Sequence, residues 1–76
     1  MTLTEIDRLI LQYVARGSME DTDARDGWCR WGVPEDAPWD FQDYKPLHDR
    51  GLLERKETWK DILLRLTPVG WEALAS

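Results

Sequence analysis

Seventy-six residues with 42% hydrophobic side chains, five tryptophans among them, suffice for one small core and exclude a wholly disordered chain. The net charge of −5 excludes the strongly basic footprint from which most nucleic-acid binders draw their affinity. A single cysteine, Cys29, excludes an internal disulfide and fits a reducing compartment.

No apolar run approaches the roughly 18 residues needed to span a membrane. The first residues lack a basic region followed by an apolar one, so no signal peptide is expected and a cytoplasmic location is. The charge is uneven. Residues 20–43 carry eight acids against two bases, whereas residues 44–66 carry six bases against four acids.

From Thr2 to Arg16 the spacing predicts an amphipathic helix, with Leu3, Ile6, Leu9, Ile10, Tyr13 and Val14 on one face. Thr2 and Glu5 have capping-box spacing, and Gly17 is the expected stop. Residues 17–27, GSMEDTDARDG, read as a polar acidic loop. Asp21, Asp23 and Asp26 invite a calcium-loop reading, but the third acid falls one place late and the twelfth residue from Asp21 is Gly32. A solvated loop is the expectation.

Residues 28–33, WCRWGV, are expected as a brief second helix. A third helix is expected from Ala37 to Arg50, capped by Asp36, with Trp39, Phe41, Tyr44 and Leu47 turned inward and Gly51 as its end. Pro46 falls inside it. Proline removes the bond to the carbonyl four residues back, so the helix either kinks there or restarts as a separate short helix.

After Leu52 the period changes. LLERKET and DILLRLT read as two strands joined tightly at Trp59 and Lys60, with Ile62, Leu64 and Leu66 facing inward and Arg55 outward. Thr67 and Pro68 then open a last short helix.

YKPLHDRGLLER (44–55) followed by LLRLTPVGWEAL (63–74) resembles the pattern of small bacterial and phage winged-helix regulators. The likeness covers about the last two fifths of the chain. It implies an α+β, mostly α fold: a winged helix-turn-helix of three helices, a two-stranded β-wing and a short C-terminal helix, in one domain over residues 1–76. It also implies duplex DNA as the partner, with the third helix in the major groove and the wing against the backbone. Carried over, the groove-facing residues are Asp40, Gln42, Asp43 and Lys45, and the wing contacts are Arg55, Lys56, Trp59, Lys60 and Arg65. Gln42 could read adenine, and Asp40 or Asp43 could accept from cytosine N4. A DNA-binding regulator of this type, helped by a homodimer or partner, is the first expectation.

The charge supports another use of the same scaffold. Trp28, Trp31, Glu35, Asp36, Trp39, Asp40 and Asp43 could form an acidic, aromatic face for a basic protein partner, a face that could imitate nucleic acid and block a nucleic-acid-binding complex. Trp59, at the expected hairpin tip, is the leading candidate for an exposed anchor. Cys29 and His48 are each unique, which argues against a metal site, and no orienting group accompanies them as a nucleophilic pair. No cofactor, metal or catalytic activity is expected.

Overall fold

Helix α1, Glu5–Glu20, begins where two local hydrogen bonds close on each other. The Asp7 backbone N–H donates to Thr4 Oγ1 (3.0 Å), and the Thr4 N–H donates to Asp7 Oδ2 (3.2 Å). This reciprocal cap stands two residues later than the expected Thr2–Glu5 pair. The computed structural model describes residues 3–20 and 27–76, so Thr2 and the acidic segment with Asp21, Asp23 and Asp26 lie outside the described residues.

The helix does not stop at Gly17. A side chain there would overlap the Cys29 Sγ, so this glycine lets α1 lie close on the following strand. Ile10, Leu11, Val14 and Ala15 are buried, with Leu3, Ile6, Leu9 and Tyr13 packed against them.

Residues 28–33 form no helix. Cys29–Arg30 is strand β1, which pairs antiparallel with the later strand β3, Ile62–Leu66, in the register Cys29↔Leu64 and Arg30↔Leu63. The Trp31 N–H extends the pairing by donating to the Ile62 carbonyl at 2.8 Å. The apolar run was too short for its period to separate strand from helix, and a distant partner decided it.

The expected helix over 37–50 is also replaced. Residues 34–37 make a turn closed by the Ala37 N–H on the Pro34 carbonyl at 3.0 Å. A 3-10 helix, Phe41–Tyr44, is followed by α2, Lys45–Asp49. Asp40, not Asp36, stands at the start of the 3-10 helix, and its N–H donates to Asp43 Oδ2 at 2.9 Å. Pro46 lies in the first turn of α2, where no helical partner for its missing N–H is required, so the chain restarts at the proline. Trp39, Tyr44 and Leu47 are buried as expected, whereas Phe41 is 46% exposed.

Gly51, at a φ of 80°, ends α2 in the left-handed region as expected. Strand β2, Leu53–Glu57, pairs antiparallel with β3 from Leu53↔Leu66 to Glu57↔Ile62. The sheet therefore has three strands in the order β1-β3-β2, one more than the expected wing. Helix α3, Pro68–Ala75, is capped by Thr67, whose Oγ1 accepts from the Gly70 N–H at 3.0 Å and donates to the Gly51 carbonyl at 2.6 Å.

The result is a small α+β fold with three α-helices and a three-stranded antiparallel sheet among the described residues. Its core joins α1 and α2 to the inner sheet face through Ile10, Leu11, Leu47, Leu52, Leu53, Leu64 and Leu66. None of the described helices is long and apolar enough to cross a membrane. No cluster of three His, Cys, Asp or Glu side chains suited to a metal occurs among the described residues.

Candidate interaction surface

The hairpin tip is built by two residues. The Thr58 N–H and Oγ1 both donate to the Asp61 carbonyl, at 2.8 and 3.1 Å, and the Asp61 N–H returns a bond to Thr58 Oγ1 at 3.0 Å. These bonds close the strands without Asn-Gly chemistry and lift Trp59 and Lys60 clear of the body. Trp59 is 92% exposed, and Lys60 Nζ lies 5.5 Å from its ring centroid.

Across from the tip, the 3-10 helix presents Phe41. Its carbonyl accepts from Trp31 Nε1 at 2.8 Å, and its ring lies 6.4 Å from the Trp31 ring and 6.3 Å, edge-on, from Tyr44. Trp31, only 5% exposed, is thus a fixed floor. A groove of about 290 Å³ is lined by Trp31, Phe41 and Trp59, with Glu57, Lys60 and Asp61 contributing the charges.

Its two sides are tied together. Arg55 Nε donates to the Tyr44 hydroxyl at 3.1 Å, and Arg55 meets Glu57 Oε2 at 3.3 Å. Arg55 stands opposite buried Leu64, so its backbone position shares the sheet face of the core, yet its side chain is exposed, as expected, and reaches Tyr44 from the rim. The bond to Tyr44, then the Glu57 charge, raises the Arg55 pKa further and keeps this tether ionised. Asp61 meets Arg30 Nε at 3.5 Å, which joins the tip to β1.

The residues expected to contact DNA divide over several surfaces. Asp40, Gln42 and Lys45 are exposed, but Asp43 is half-buried and engaged with the Asp40 N–H. Gln42 Oε1 accepts from Lys45 Nζ at 3.2 Å, so the amide expected to read adenine is engaged by its neighbour. Arg55 belongs to the tether with Tyr44. Lys56 and Arg65 lie on the outer sheet face against Trp28, with Lys56 Nζ at 5.9 Å and the Arg65 guanidinium at 4.4 Å from the ring centroid. Arg65 Nε also donates to Glu54 Oε2 at 2.6 Å. Trp59 and Lys60 alone occupy the tip.

The acidic aromatic face also changes character. Trp31 and Trp39 are buried, and Trp28 sits on the outer sheet face, so none of the three stands as an exposed anchor among the acids. Glu35, Asp36 and Asp40 do remain exposed. Phe41 was the aromatic missed in the sequence. Its spacing of three from Tyr44 put both rings on one side of a helix, yet Tyr44 takes the core and Phe41 the rim. Cys29 is buried on β1, whereas His48 is exposed on α2.

Comparison of the chain with family models, with curated proteins and with solved structures gives no match.

Proposed function

We propose that this chain is a protein-interaction module built on a winged-helix type of scaffold, and that it docks partners through the groove between Trp59 and Phe41. The observation that carries the reading is the 92% exposure of Trp59 at the tip of a hydrogen-bonded hairpin. A tryptophan there contributes almost nothing to folding, yet it is the residue type most enriched in the energetic centres of interfaces. Phe41 and the fixed Trp31 floor supply a complementary wall, so a partner would meet aromatic rings set in a polar rim. The scaffold assignment is supported by element order: a helix, a strand, a short helix and then a hairpin whose second strand lies between the other two.

Selection from a random peptide library with immobilised protein tests the reading. Ligands are expected whose affinity falls about thirtyfold, or roughly 2 kcal/mol, on Trp59→Ala. Ligands that bind equally well to Trp59→Ala would overturn it.

Duplex DNA is the second reading, favoured by exposed Lys45 beside Gln42 and by Lys60 at the tip. It ranks lower because α2 has five residues, a helix too short to lie along a groove, and because Asp40, Asp43 and Asp49 accompany its cations. No enzymatic role is proposed.

A further inference from the structure

We infer that the Trp59–Phe41 groove receives the side chain of an arginine or lysine from a basic segment of its partner. The inference rests on reading this groove as a protein-binding site, and it goes further by fixing the chemistry of the occupant. Three features of the site converge on a cation.

The first is the open aromatic surface. Trp59 and Phe41 present ring area to solvent, and an aromatic face carries the negative end of its quadrupole. The chain already uses this attraction within itself: Lys60 lies over Trp59, and both Lys56 and Arg65 lie over Trp28. With 92% of Trp59 exposed, Lys60 covers little of the ring and leaves area for a second, intermolecular cation.

The second is the rim. Glu57 and Asp61 line the groove, and their ion pairs to Arg55 and Arg30 run through Oε2 and Oδ2. Each carboxylate has a second oxygen with which to accept from a guanidinium or ammonium group. The third is the approach. Residues 34–43, which lead to Phe41, contain Glu35, Asp36, Asp40 and Asp43 and no base. A basic segment extending from the groove along this stretch would meet exposed Glu35, Asp36 and Asp40, with Arg16 the base that lies beside residues 34–39.

Lys60 opposes the arrangement, since it is the one cation lining the groove among the described residues. It therefore gives the inference a sign. Removing its charge should strengthen a cationic ligand, whereas it should weaken any complex with nucleic acid.

The test uses N-acetyl-arginine amide and its neutral isostere N-acetyl-citrulline amide, titrated into the full chain and followed by the tryptophan indole N–H signals in two-dimensional NMR. The arginine compound is expected to shift the Trp59 signal saturably, with a Kd on the order of 10 mM, and at least about fivefold more tightly than citrulline. Lys60→Gln is expected to tighten arginine binding about twofold. Trp59→Ala should abolish the response of Trp31, whose unchanged position in the free variant shows that the fold is intact. Equal affinities for the two compounds, or no saturable shift with arginine at about 50 mM, would overturn the inference. If library ligands still depend on Trp59 in that case, the protein-binding reading stands and the cation pocket alone falls. If those ligands are also indifferent to Trp59, both fall.

Discussion

Glycines 17 and 70 show how single atoms set this fold. A Cβ at Gly70 would overlap the Leu52 carbonyl oxygen, which already accepts from the Thr67 N–H at 3.1 Å. Backbone cannot swing away as a side-chain tip can, so Gly70→Ala should cost about 1–3 kcal/mol in urea denaturation despite alanine's better helix propensity. A neutral or stabilising result would mean that α3 does not seat against Leu52 in solution. Tyr13 offers a second check. Its ring packs edge-on against Trp31 and Trp39, at 5.8 and 5.5 Å, and burial, then the charge on Cys29, raises its pKa. The folded state favours the neutral phenol, so its contribution is complete below the free tyrosine value of about 10 and is lost as pH rises through the higher folded value. Ultraviolet titration should show Tyr13 ionising late, with denaturant stability falling over the same alkaline range. Tyr13 titrating at the ordinary value would contradict its packing against the two indoles.

At the scale of elements, the stretch from Ala37 to Gly51 holds the most informative difference between expectation and structure. Pro46 was the visible signal, and it left a kink and a restart both open. The structure selects the restart, with Pro46 in the first turn of α2. Pro46→Ala should therefore change stability by less than about 1 kcal/mol, because the missing N–H had no helical acceptor to lose. A gain near 3 kcal/mol would instead place the proline in a helix interior. The hairpin, α3 and the Gly51 turn were legible because their signals are local: alternation, a Thr-Pro start and a glycine after a helical run. Strand β1 was not, since its two residues take their conformation from β3, more than thirty positions away. The groove was half legible. Trp59 between two strands marked the tip, but the outward turn of Phe41 depends on a 3-10 geometry that no periodic pattern announced. The tip itself makes an element-scale prediction. Trp59→Ala should leave stability within about 0.5 kcal/mol of the parent while removing peptide binding. A large loss of stability would mean that the ring packs somewhere in solution.

For the molecule as a whole, charge bears on the choice between the two proposed partners. The chain carries −5, and several of its cations are already engaged: Arg55 with Tyr44 and Glu57, Arg65 with Glu54 and Trp28, and Arg30 with Asp61. What remains toward a duplex is too sparse to release many counterions. Fluorescence anisotropy with mixed-sequence DNA at physiological salt should give a Kd weaker than about 10⁻⁴ M. Tighter, steeply salt-dependent binding would restore the regulator reading that the C-terminal sequence pattern suggested. The same scaffold can serve either use, since architecture does not fix function. Here the exposed tip, the aromatic groove and the acids leading into it favour a protein.

The most direct test of that claim is a paired NMR titration of the parent chain and Lys60→Glu. A library-selected peptide and a mixed-sequence duplex would be added separately, and the Trp59 indole N–H followed. Peptide binding at Trp59 that Lys60→Glu leaves intact or strengthens, with no response to the duplex at high-micromolar concentration, is the predicted result. A Trp59 signal that answers to the duplex and falls silent in Lys60→Glu would contradict it, and would make the hairpin a DNA-contacting wing.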